Sequence, residues 1–321
     1  MIDKAPIRFI PYFKSVIWGG ERICRYKGIE QMAPNIGESW EISAVPGHEA
    51  VVAEGPYKGM TIKDLTERFG AELVGRNVLE KYEGAFPLLA KLIDANDNLS
   101  VQVHPDDALA KERHDSLGKT EMWYIIHADE GAKIYSGLNR EMTPEDYVRM
   151  VDENRIEEAL AVHDSHPGDV FFLPAGRVHA IGAGNLLAEI QESSDITYRI
   201  YDYDRRDAHG NTRELHTDLA KDAIDYTFHE DYKSEPPDPS SGHARLATCD
   251  HFYVDRVLLD GDMDLSYDDS SFTVLMCLEG EATVECEGVR MSLKSGETLL
   301  LPAVLTSFVM KGRGTLLIAR C

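Results

Sequence analysis

Gly168-Asp169-Val170-Phe171-Phe172-Leu173-Pro174-Ala175 decides the reading of the fold, because the chain repeats it. Gly296-Glu297-Thr298-Leu299-Leu300-Leu301-Pro302-Ala303 carries the same residue types in the same order. Each is a turn glycine, an acidic residue, a short apolar strand and a proline that stops it. The repeat predicts two related units. Strand patterns surround the first copy at Ile7–Phe13, Glu38–Ser43, Ala50–Ala53, Met122–His127, Lys133–Gly137, Leu186–Glu192 and Thr197–Tyr203. Others surround the second at Phe252–Leu259, Phe272–Leu278, Ala282–Glu285, Val289–Leu293 and Thr315–Ala319. Many short strands with few helices predict a mainly β protein, built as two jelly-roll barrels with helical insertions.

Three segments read as helices: Thr61–Gly70, Thr143–His163 and His216–Tyr226. The second opens Thr-Pro-Glu-Asp, a capping sequence with proline in the first turn, and has a break signal at Glu153-Asn154. The Pro- and Ser-rich stretch 232–242 reads as a linker with nothing to contribute to a core. The expected division is therefore a larger unit over residues 1–231, the linker, and a smaller barrel over 243–321. Ser307 in the second copy stands where His179 stands in the first, five residues past the proline, so the second barrel is expected to carry no metal.

The formal charge of −23 argues against nucleic acid and anionic membranes as partners. No run approaches the length of a membrane span, and the N-terminus lacks the apolar stretch of a signal peptide. Five cysteines without a C-x-x-C pair read as free thiols in a reducing compartment, so a cytoplasmic location is expected. The oligomeric state has no sequence signal.

Chemistry concentrates in four residues. Gln102 and His104 alternate with apolar residues in Leu99-Ser100-Val101-Gln102-Val103-His104-Pro105, so as a strand both leave from one face. Glu121 lies in Gly118-Lys119-Thr120-Glu121-Met122-Trp123, and His179 follows the turn Pro174-Ala175-Gly176. Singly each has an ordinary reading: a capping histidine, or a solvated Lys119–Glu121 pair. Together, two imidazoles, a carboxylate and an amide oxygen form the ligand set of a catalytic divalent metal, with zinc favoured.

These motifs, with Trp18-Gly19-Gly20, Gly37-Glu38-Ser39-Trp40-Glu41-Ile42-Ser43 and Ser193-Ser194-Asp195-Ile196-Thr197-Tyr198-Arg199, resemble the type I mannose-6-phosphate isomerases in their short bacterial form. The resemblance runs from about Pro11 to about Arg206. It implies cupin-type barrels, one zinc ion per chain, and interconversion of mannose 6-phosphate and fructose 6-phosphate. The asparagine that the general cupin pattern places four residues after the histidine is Ala183 here, with Asn185 nearby, as suits the isomerase branch.

The same resemblance makes Arg199 the essential arginine, a permanently charged group suited to holding enediolate or sugar oxygens. Lys119, beside a cation that favours the neutral amine, either carries the proton or grips a sugar or phosphate oxygen; a metal-bound water is the other base. Ser100, Lys119, Arg205 and Arg206 are the phosphate candidates, the arginine pair reading equally as a surface loop. Gln102 serves as fourth ligand or substrate contact. The alternatives are an isomerase of another aldose phosphate and a cupin that binds a sugar phosphate without turning it over.

Overall fold

The computed structural model describes residues 1–206, 209–235, 238 and 240–321. Among the described residues, three antiparallel sheets form the framework, with short helices between their strands. The central one runs, in spatial order, Val170–Leu173, Glu121–Ala128, Asn185–Glu192, Leu88–Ala95, Ile36–Ile42 and Tyr12–Gly20. A five-stranded sheet, Tyr198–Tyr201, Val101–Val103, His179–Ile181, Lys133–Leu138 and Leu160–Asp164, packs on one face of it. Trp18, Ile93, Trp123, Ile125, Leu187, Ile134 and Ile181 fill the space between these two.

The other face of the central sheet packs on a third sheet. There Leu88, Ala90, Leu92, Met122, Ala188 and Ile190 share a core with Val254, Val274, Met276 and Leu317. The central strands Leu88–Ala95 and Asn185–Glu192 are consequently buried at every residue. The third sheet contains the long strands Tyr253–Ser266, Thr273–Cys286 and Ser307–Arg320, and has a second core of its own around Leu259, Leu275, Val284 and Phe308. Its edge is completed from the far end of the chain: Ile7 and Arg8 pair with Leu300 and Leu299 in Thr298–Leu301, the second copy of the repeat. Both copies turn on a left-handed glycine, Gly168 at φ 91° and Gly296 at φ 79°.

Two expected helices stand, Ile62–Phe69 and Thr217–Ala223. The third is shorter than expected. Thr143 and Asp146 form a reciprocal cap for Pro144–Asp152. The chain then reverses at left-handed Asn154, makes one 3-10 turn over Ile156–Ala159, and continues as the strand Leu160–Asp164 on the edge beside Lys133–Leu138. Pairing with a waiting strand overrides the helical pattern there.

The start of 232–242 is not free chain. The Tyr232 ring is buried against Gly137 and lies under the Arg177 guanidinium, 4.9 Å away, and its hydroxyl accepts from the Leu138 amide. Lys233 pairs with Asp169 at 2.6 Å. Residues 236, 237 and 239 of that stretch lie outside the described residues.

Candidate metal centre and its pocket

The expected alternation places the side chains. Val101 and Val103 enter an apolar cluster beneath the five-stranded sheet, which turns Gln102 and His104 toward the central sheet. Gln102 is the cross-strand partner of both His179 and Arg199, so one row of that sheet presents all three. Glu121 comes from the facing sheet, opposite Gln191 and Leu173.

The four side chains meet. His104 Nε2 lies 3.3 Å from Glu121 Oε1, and His179 Nε2 lies 3.7 Å from Glu121 Oε2. Each imidazole is held from behind: His104 Nδ1 donates to the Ile196 carbonyl and His179 Nδ1 to the Arg177 carbonyl, both at 2.9 Å. Those bonds select the tautomer with a free Nε2 lone pair toward the centre. The Trp123 ring stands edge-on to His179 and fixes its plane. The Gln102 amide is 3.3 Å from His179 Nε2, and a half-turn of that amide presents its oxygen instead.

Electrostatics completes the case for a cation. Both Glu121 oxygens are buried without a hydrogen-bond partner among the described residues. Burial opposes ionisation of Glu121, but Lys119 and His104 outweigh it and hold the carboxyl well below its usual range. Burial, with the Lys119 charge added, pushes His104 down to about 3, so it is a neutral ligand near pH 7. Lys119 Nζ itself lies 3.0 Å from Glu121 Oε1 and 3.2 Å from His104 Nε2. An ammonium therefore lies where these donors converge, which shows that the cluster attracts positive charge. Among the described residues, His104, Glu121 and His179 are one of two groups whose donor atoms all fall within 4.8 Å of each other.

Beside the centre opens a cavity of about 360 Å³, within the range of small-molecule sites. Ser100, Gln102, Lys119, Asp195, Thr197 and Arg199 line it, with Trp18 and Trp40. Arg199 Nη1 donates to the Glu214 carbonyl at 3.0 Å, while its Nε is buried without a partner among the described residues. Arg205 is not in the lining. Its guanidinium binds Asp202, at 2.6 Å, and the Asn98 carbonyl, and stacks 5.2 Å from the Tyr203 ring. Arg206 binds the Gly210 carbonyl. Arg213, held by Asp202 at 2.7 and 2.5 Å, lines the cavity instead.

Three charges in the lining, Lys91 and Glu189 buried and Glu38 partly so, escaped sequence reasoning. Lys91 bonds Glu189 at 2.9 Å and Gln191 at 2.6 Å, and Glu189 accepts from the Trp123 indole at 2.8 Å. Glu38 accepts from the Trp40 indole at 2.6 Å. Burial and the nearby Glu121 charge push the Glu189 carboxyl up, Lys91 only partly offsetting them. A signal was available: Asn185, Leu187, Glu189 and Gln191 share one strand face, so three polar groups stand in line on one face of a wholly buried strand.

A mainly β sandwich with an inward-facing His–Glu–His centre and a cation-lined cavity defines a metal-binding enzyme of the cupin type. The sequence matches the family "Phosphomannose isomerase type I, catalytic domain" over residues 7–120 and "Mannose-6-phosphate isomerase, cupin domain" over residues 243–320. It is 36% identical to the mannose-6-phosphate isomerase ManA of Bacillus subtilis over 96% of both chains, and 35% identical to the mannose-6-phosphate isomerase of Streptococcus mutans over 92% of both. The crystal structure of the Bacillus subtilis mannose 6-phosphate isomerase superposes with a TM-score of 0.88, covering 98% of this chain and 99% of the other at 36% identity. The chain belongs to the type I phosphomannose isomerase family.

Proposed function

We propose that this protein interconverts mannose 6-phosphate and fructose 6-phosphate, with one zinc ion at the centre held by His104, Glu121, His179 and the Gln102 amide oxygen. The convergence of two imidazole Nε2 atoms on a buried carboxylate that otherwise meets only the Lys119 ammonium among the described residues, at the edge of a cation-lined cavity, carries this reading. A zinc ion bound there supplies a Lewis acid for the sugar's oxygens and adds no redox chemistry.

The remaining work falls to the chain. Lys119 Nζ moves the proton between C2 of the aldose and C1 of the ketose once it leaves the donor cluster. Arg199 holds the oxygen charge that develops on the enediolate, from a partly buried position at the cavity wall. Ser100 and Arg213 receive the phosphate end; Arg205 orders this region through Asp202, which it shares with Arg213. Residues 1–231 carry the chemistry, 232–242 join the parts, and 243–321 support them. A small sugar phosphate is the partner, and nucleic acid and membranes are not. A cytoplasmic location accords with five free cysteines; among the described residues, no helix is long and apolar enough to cross a membrane.

The test is turnover of mannose 6-phosphate to fructose 6-phosphate by purified protein, before and after chelation and after zinc is restored. Loss on chelation and return with zinc are expected. Binding without turnover under any divalent metal would leave a sugar-phosphate sensor. Turnover confined to another aldose phosphate would shift the substrate, and turnover indifferent to chelator would remove the metal.

A further inference from the structure

Strand alternation sends Gln191 to the pocket face of the central sheet and its neighbour Glu192 to the opposite face, where the C-terminal part packs. Glu192 is 1% exposed. The other buried glutamates each meet a lysine: Glu41 with Lys27, Glu121 with Lys119, Glu189 with Lys91. Among the described residues, no lysine or arginine pairs with Glu192. It meets His251, from the turn between His243–Thr248 and Tyr253–Ser266, and near it Asp107, the first residue of the helix Asp107–His114.

The group is built rather than incidental. Glu192 Oε2 accepts from the Thr120 amide and Asp107 Oδ1 from the Gly118 amide, each at 2.8 Å. The second oxygen of each carboxylate turns to His251 Nδ1, at 3.1 Å for Glu192 and 3.8 Å for Asp107. Glu192 Oε1 and His251 Nδ1 are both buried, yet neither has a hydrogen-bond partner of good geometry among the described residues; the Asp107 carboxylate is their other neighbour. The 3.1 Å spacing is an edge of a coordination polyhedron with bonds near 2.0–2.2 Å, the 3.8 Å one is a little longer, and donor atoms of all three residues lie within 4.8 Å of one another. These spacings match those at the first centre, 3.3 and 3.7 Å.

We propose that Asp107, Glu192 and His251 form a second divalent-cation site on the opposite face of the central sheet from the first. One imidazole nitrogen and two carboxylate oxygens suit zinc or manganese, with water completing the shell on the half-exposed Asp107 side. Both carboxylates brace the backbone of Gly118-Lys119-Thr120, so the cation ties the C-terminal part to the segment that presents Lys119 and Glu121. This reading does not depend on the isomerase assignment.

The experiment counts metal. Chelator-treated full-length protein is titrated with Co2+, followed by visible absorbance, and separately loaded with Zn2+, desalted and analysed for elemental content. Wild type is expected to hold two ions per chain. His251→Ala and Glu192→Gln are expected to hold one, and His179→Ala to keep the ion at the second site. Wild type saturating at one ion, or His251→Ala and Glu192→Gln loading as much as wild type, overturns the proposal. The wild-type count needs no variant to fold, and turnover of sugar phosphate is read in a separate assay.

Discussion

At the scale of single residues, Lys119 is the group whose two tasks conflict. Its ammonium competes with a metal for Glu121 and His104, while the proposed chemistry needs it in the cavity. Lys119→Met should therefore bind zinc at least as tightly as wild type in a chelator competition, while kcat falls by about 100-fold or more; weaker zinc binding would mean that Lys119 supports the centre. Arg199→Ala should lose about 100- to 1,000-fold in kcat with metal content unchanged, as expected for a group acting on developing charge; kcat near wild type would remove Arg199 from the chemistry. The cysteines offer a pH test. Burial pushes Cys277 up to about 12 and Cys286 up to about 11. Only the thiolate reacts, so alkylation by iodoacetamide at pH 8 should be negligible in native protein, rise with pH, and become fast on unfolding; rapid native labelling of either would contradict their placement. The candidate metal residues were legible only in combination, each sitting in a short motif that read alone has an ordinary meaning. Arg213 was not legible, because only folding brings Asp202 beside it, and Glu189 left only the weak trace of polar residues in line on its strand face.

At the scale of elements, local signals succeeded where the chain carries its own stop and start. Thr143 and Asp146 cap a helix whatever surrounds it, and the proline after each repeat ends a strand. They failed where a partner decides. Leu160–Asp164 is a strand because Lys133–Leu138 offers an edge, and the opening of the expected linker is held because Tyr232 fits over a residue without a side chain. Gly137 sits at φ 84°, and a Cβ there would overlap the Tyr232 ring. Gly137→Ala should cost about 2–4 kcal/mol, adding left-handed strain to overpacking. Chemical denaturation measures it, and a loss under 1 kcal/mol would show that the Tyr232 contact is slack.

At the scale of the molecule, the two halves are not independent. The first strand of the chain closes the edge of the last sheet, and Phe86 and Phe272 stack across the junction with ring centroids 4.5 Å apart. Phe272 is fully buried, so Phe272→Ala should cost about 3–5 kcal/mol. The three tryptophans, Trp18, Trp40 and Trp123, all lie in the first half. Their fluorescence should nonetheless report the lower unfolding midpoint; a tryptophan transition left unmoved would mean that the halves unfold separately. Local pattern alone carried the strand-rich class, the repeated strand-and-turn unit and the four candidate residues of the centre. Alternation, glycine turns and proline stops act over a few residues and leave a local trace. Packing set which charges line the cavity, that Arg213 rather than Arg205 joins Arg199 at its wall, and that Glu192 faces His251 rather than a lysine. Those outcomes depend on which strands become neighbours, and long-range packing free energy sets that choice without writing it into any one stretch of chain.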